Sequence, residues 1–134
     1  MSVRGAGQSI TATVSAWEGV TVHAHRFGGT AYHVGSREIG HVHGDGLVDI
    51  PFPTRIRNDL VAAGQAVPHH ILPESGWVSF YVKKPDDVEE AVALLRRSYD
   101  LAASRRATDA SRRPDATGQR GFVRPAPPER ASSE

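Results

Sequence analysis

The sequence predicts an α+β fold: an antiparallel meander sheet of about five strands backed by two or three helices, with a disordered C-terminal tail. Three observations carry this. Between Val20 and Ile50, short β-branched runs alternate with turns at Gly28-Gly29, Gly35-Ser36 and Gly44-Asp45-Gly46, a pattern of consecutive hairpins. On either side of that block, apolar residues recur with helical period. From Ser104 onward the composition collapses to Arg, Ala, Ser, Pro and Asp, too poor in apolar residues to offset the entropy of ordering. The expected units are a domain over 1–103 and a tail over 104–134.

Taken in order, Ser9–Trp17 places Ile10, Val14 and Trp17 on one helical face, ended by Gly19. Val20–Phe27 is the first strand, with Val20, Val22 and Ala24 on one face and Thr21, His23 and His25 on the other. Thr30–Val34 returns, Arg37–His43 is the third strand, and Leu47–Ile50 is a short fourth. Pro51 and Pro53 stop the sheet, since proline cannot donate to a ladder. Thr54–Ala63 is a helix with Ile56, Leu60 and Ala63 on one side and Gly64 as its C-cap. Val67–Leu72 is a short extended piece, Pro73–Gly76 a turn, and Trp77–Val82 an apolar strand suited to mid-sheet. The final helix opens at Asp86, with Glu89 at capping-box spacing. Its apolar residues Val88, Ala91, Val92, Leu95, Tyr99 and Ala102 span four turns.

Composition narrows the chemistry. The chain of 134 residues has no cysteine, which excludes disulfides, thiolate metal sites and a cysteine nucleophile. No apolar run approaches the roughly 18 residues of a membrane span, and the N-terminus has no signal-peptide pattern. A cytoplasmic protein without a membrane partner is expected. Residues 1–103 carry a formal charge of −2 and residues 104–134 one of +3, together the net +1. A slightly acidic body argues against a nucleic-acid platform. Dinucleotide and P-loop fingerprints are absent, and Ser75 lacks a nucleophile elbow.

All seven histidines lie between residues 23 and 70. Alternation along the third strand puts Ile39, His41 and His43 on one face, the two imidazoles roughly 6.5–7 Å apart. His69-His70 follows before the apolar strand. If these stretches meet, His41-x-His43 with His69 or His70 could offer three nitrogen ligands and an open position, with Asp45 or Asp49 as an oxygen ligand. The spacing permits a metal without specifying one. Acid–base chemistry is the other use, an imidazole near neutral pKa taking and returning a proton. Alternation aims Glu38 away from His41, so Asp49 on the neighbouring strand is its expected partner.

The run Arg37-Glu38-Ile39-x-His41-x-His43, then His70, then Trp77-x-x-Phe80-Tyr81 and the acidic helix from Asp86, resembles the fungal luciferase family. The stretch 17–102 is similar to small bacterial luciferase-domain proteins in W-x-G-V-T-V-x-x-H-R-F-G-G and H-H-x-x-P-x-S-G-W-V-S. A more distant resemblance, in the order of hairpin strands, helix, H-x-x-P-x-x-x-W strand and helix, is to the MmcQ/YjbR proteins of CyaY-like α+β fold. The luciferase resemblance implies oxidation of a small hydroxylated, enolisable or phenolic molecule by O2 with no organic cofactor. It implies His41, His43 and His70 as catalytic residues, with Arg37, Glu38 and Trp77 around the substrate; the strand pattern and the His69-His70 pair add Asp49 and His69 to that set. No metal is assigned; if one is bound, His41, His43 and His70 are the expected ligands. The alternatives are a small-molecule or metal-ion binding module without turnover, and a structural or interaction domain whose histidines are satisfied internally. Oligomeric state is not legible in the sequence.

Overall fold

The structure, a computed structural model, describes residues 3–25 and 28–112, with side chains to residue 105. The chain divides after Ala103; the unit before that point holds the sheet. Its elements are α1 (Ala6–Val14), β1 (Val20–Ala24), β2 (Thr30–Val34), β3 (Arg37–His43), β4 (Leu47–Pro51), α2 (Thr54–Ala62), β5 (Val67–Pro68) and β6 (Trp77–Tyr81). A final helix, α3 (Asp86–Arg112), begins in this unit. The α+β class holds. The sheet has six strands in the order β1-β2-β3-β4-β6-β5, all paired antiparallel. The sixth is the two-residue β5, from the stretch expected only to be extended.

One face of the sheet carries the core. Tyr32, Ile39, Val48, Ile50 and Val78 are fully buried there with Ile10 and Val14 of α1, Leu60 of α2 and Leu95 of α3. The helical periodicity of the sequence was therefore a record of burial against this face. Tyr99 anchors α3 by donating its hydroxyl to the Glu18 carbonyl at 2.6 Å.

Several boundaries move for physical reasons. α1 starts three residues before the expected Ser9, because Asp45 reaches across from the β3–β4 turn. Its carboxylate accepts the Gly7 backbone N–H at 2.8 Å and that of Gly5 at 3.1 Å, satisfying helix-end donors that have no partner within the helix. These two bonds hold the Asp45 carboxyl below the usual carboxylate range. A depressed folded-state pKa stabilises above the unfolded value and ceases to do so as pH falls through the folded one. Asp45→Ala should thus lower the melting temperature at pH 7 by more than at pH 3, in thermal unfolding followed by circular dichroism.

At α3 the capping carboxylate is Asp87, which accepts the backbone N–H groups of Lys83 and Lys84, and not Asp86 as the capping-box spacing suggested. The helix also runs on to Arg112, past the compositional boundary at Ser104. The rest of the expected tail, 113–134, lies outside the described residues, as do Arg26 and Phe27 of the expected first strand. Among the described residues, no helix is long and apolar enough to cross a membrane.

Candidate functional site

The other face of the sheet is a histidine face. Cross-strand pairs Thr21↔His33, His23↔Ala31, Ala31↔His41, His41↔Asp49 and Asp49↔Ser79 share one side. His25 stacks on His41 with ring centroids 4.2 Å apart. His69 and His70 come over from the segment after β5, their rings 4.4 Å apart. All seven histidines lie on or against this face.

Asp49 is its centre. The side chain is fully buried. Oδ1 accepts the Ser79 hydroxyl at 2.7 Å. Four imidazoles present Nε2 to the other oxygen, Oδ2: His70 at 3.1 Å, His41 at 3.2 Å, His43 at 3.3 Å and His69 at 3.5 Å. His41 and His69 are nearly enclosed, whereas the side chains of His43 and His70 are 27% and 31% exposed. The cluster therefore opens to solvent between His43 and His70.

The outer contacts set the ring orientations. His41 Nδ1 lies 2.6 Å from Glu38 Oε2. Strict alternation had aimed Glu38 at the opposite face. A register shift in the β2–β3 ladder between Tyr32 and His33 makes Tyr32 pair with Gly40 and His33 with Glu38, leaving Ile39 unpaired. That is a β-bulge. It turns Ile39 into the core and brings Glu38 and His41 to the same side. The expectation that Ile39 shares a face with His41 and His43 is corrected for the same reason.

His69 Nδ1 accepts the backbone N–H groups of Ile71 and Leu72 at 3.1 and 3.0 Å. With Nδ1 used as an acceptor, neutral His69 carries its proton on Nε2, aimed at Asp49. Ser79 also accepts the His70 backbone N–H at 3.2 Å, so one hydroxyl ties β6 to the histidine pair. Trp77 packs its ring 5.2 Å from that of His41 and 6.0 Å from that of His69, walling the enclosed end.

The protonation pattern follows. Burial pulls the His41 pKa down, but hydrogen bonds to Asp49 and Glu38 outweigh it and set it at about 9. Burial raises the Asp49 carboxyl, yet its bonds from His41, Ser79 and His70 leave it well below the ordinary carboxylate range. Burial, then the neighbouring His41 charge, lowers His43. Burial, opposed by Asp49, also lowers His69.

Of the residues singled out in the sequence, His41, His43, His69, His70 and Asp49 converge, with Glu38 and Trp77 in contact with them. Arg37 does not join them. It is exposed and pairs with Val34, on the core side of the sheet. His69 has its ring nitrogens turned to the backbone N–H groups of Ile71 and Leu72 and to Asp49. Ser79 and His25 were missed as site residues. The alternation that put His25 opposite the valines of β1 was the available signal for His25. For Ser79 it was the even spacing from Trp77.

A small α+β domain with a buried carboxylate ringed by imidazoles is the class that fold and site define. The family model of the luciferase domain matches residues 36–98. No curated protein and no solved structure matches the chain. The matched residues run from the start of β3 into α3 and include Glu38, Asp49, Ser79 and the four imidazoles around Asp49, while α1, β1 and β2 precede them.

Proposed function

We propose that this protein is an oxygenase-type oxidoreductase acting on a small enolisable or phenolic molecule at the Asp49–histidine cluster, with O2 as co-substrate. The observation that carries the reading is the convergence of four imidazoles on one buried carboxylate, inside the residues that match the luciferase domain. The side open to solvent, between His43 and His70, is where the substrate meets the cluster, with Trp77 behind it.

The chemistry balances without an added reductant. The substrate loses its acidic proton to give an enolate. The enolate's electron pair forms a C–O bond to O2, and the resulting peroxide anion takes up a proton to give a hydroperoxide. A polar cluster with a preset orientation favours the anionic intermediate over the neutral substrate, which is where rate is gained.

The test is oxygen uptake by tag-free protein with a panel of hydroxypyrones, phenols and enolisable acids. Uptake that depends on one compound class, and falls at least about 100-fold in His43→Ala/His70→Ala, is the expected result. Unchanged uptake in that variant contradicts the assignment. Saturable binding of a compound with no oxygen uptake makes the protein a binding module.

A further inference from the structure

The arrangement around Asp49 Oδ2 has too many partners of the wrong kind for hydrogen bonding alone. A carboxylate oxygen offers about two lone pairs, and Ser79 already occupies the other oxygen. Four ring nitrogens nevertheless crowd Oδ2 within 3.1 to 3.5 Å. His41 sharpens the problem. Its Nδ1 is held by Glu38 and its Nε2 faces a carboxylate oxygen 3.2 Å away. That contact needs a positive charge in it: a second proton on the ring, or a metal ion that takes the proton's place.

The distances have the right scale. Nitrogen and oxygen ligands sit roughly 2.0–2.2 Å from zinc. By geometry from those lengths, adjacent ligands are about 3.0 Å apart in an octahedral shell and about 3.4 Å apart in a tetrahedral one. The spacings of His70, His41 and His43 from Oδ2, 3.1 to 3.3 Å, are those of neighbouring coordination positions. Two overlapping sets, His41/His43/Asp49 and Asp49/His69/His70, each have ligand atoms within 4.8 Å of one another.

They share Asp49. The first is the better candidate, two imidazoles and a carboxylate in the pattern of a mononuclear metal site; the second contains His69. Its Nδ1 lone pair is spent on two backbone N–H groups, so its Nε2 holds a proton and cannot ligate. It also stands farthest from Oδ2.

We propose that His41 and His43, each through Nε2, and Asp49 through Oδ2 form a mononuclear site for a divalent first-row transition-metal ion. Glu38, Ser79, His69 and His70 are positioning residues, touching ligands and not the ion. The Glu38–His41 contact is the carboxylate–histidine–metal relay that fixes a ring's tautomer and raises its basicity. Ser79 donates to the carboxylate and holds its orientation. Two imidazoles and one carboxylate suit zinc, iron, copper or cobalt over magnesium or calcium, which prefer all-oxygen shells. The open position faces the gap between His43 and His70, where a substrate oxygen would bind.

The proposal deepens the function given above, yet metal occupancy needs no substrate, so either can fail alone. The experiment uses the full chain, purified without a histidine tag, stripped with chelator and titrated with Zn2+ and then Co2+. One equivalent of Zn2+ should bind, and Co2+ should give visible ligand-field absorption from a nitrogen–oxygen shell. His43→Ala, at a partly exposed position, should fold by circular dichroism and lose affinity at least 100-fold. Glu38→Gln and His69→Asn should lose about 10- to 100-fold. His23→Ala, at an exposed position that makes no contact with Asp49, should bind as wild type. Full Zn2+ affinity in His43→Ala would overturn the proposal, and so would loss of binding in His23→Ala. Full oxygen uptake by chelator-treated, metal-free protein would overturn a role for the ion while leaving the oxygenase reading intact.

Discussion

Asp49→Ala should be the most damaging single substitution on the histidine face. It removes a fully buried carboxylate and orphans the Ser79 hydroxyl along with the imidazole N–H groups that point at it. Breaking a buried ionic pair on one side costs about 3–5 kcal/mol. For a domain of this size each kcal/mol is worth roughly 4–8 °C, so the metal-free variant should melt on the order of 15 °C lower. Asp49→Asn separates charge from shape. Its carbonyl oxygen can still accept from Ser79, so the stability cost should be smaller, about 1–3 kcal/mol for the imperfectly paired groups. Zn2+ binding should fall steeply in both. Thermal unfolding with and without Zn2+ reads the two effects separately. A wild-type-like melting temperature in Asp49→Ala would contradict its place at the centre.

Gly40→Ala should be nearly as costly, although Gly40 has no side chain to lose. Its φ is +154°, in the region that disfavours a side chain. A Cβ there would lie 2.4 Å from Leu95 Cδ2 and 3.1 Å from the Asp49 carbonyl oxygen. Leu95 is itself fully buried, so it has little room to retreat. Backbone strain and overpacking each cost about 1–3 kcal/mol. A melting temperature lower by 10 °C or more is expected on the scale used above. Because Gly40 forms the bulge that turns Glu38 toward His41, the variant should also bind Zn2+ more weakly than its stability loss accounts for. Unchanged metal affinity would mean that the bulge does not set the ring orientation.

These two glycine and aspartate positions show what the sequence disclosed and what it hid. The meander was legible because each hairpin carries its own turn residues, and the turn at Gly44-Asp45-Gly46 is short enough to bring Asp49 opposite His41. The helices were legible from the periodicity of Leu60 or Leu95. The bulge was not, because a register shift is a property of two strands together. An isolated glycine inside the strand was the only local hint. The start of α1 was hidden because its cap comes from Asp45, 38 residues from Gly7. The division among the histidines was hidden too. His69 and His70 are adjacent and chemically identical in sequence, and the backbone N–H groups of Ile71 and Leu72 fix the tautomer of His69.

Long-range 1H–15N correlation spectra of the imidazoles, recorded on tag-free protein before and after one equivalent of Zn2+, test the central claim most directly. His69 should be a pure Nε2–H tautomer throughout. On addition of Zn2+, His41 and His43 should both show Nε2 as the metal-bound nitrogen, with Nδ1–H retained and that of His41 strongly hydrogen-bonded. A mixture of tautomers at all four rings, unmoved by the ion, would contradict convergence on Asp49 and the site built upon it.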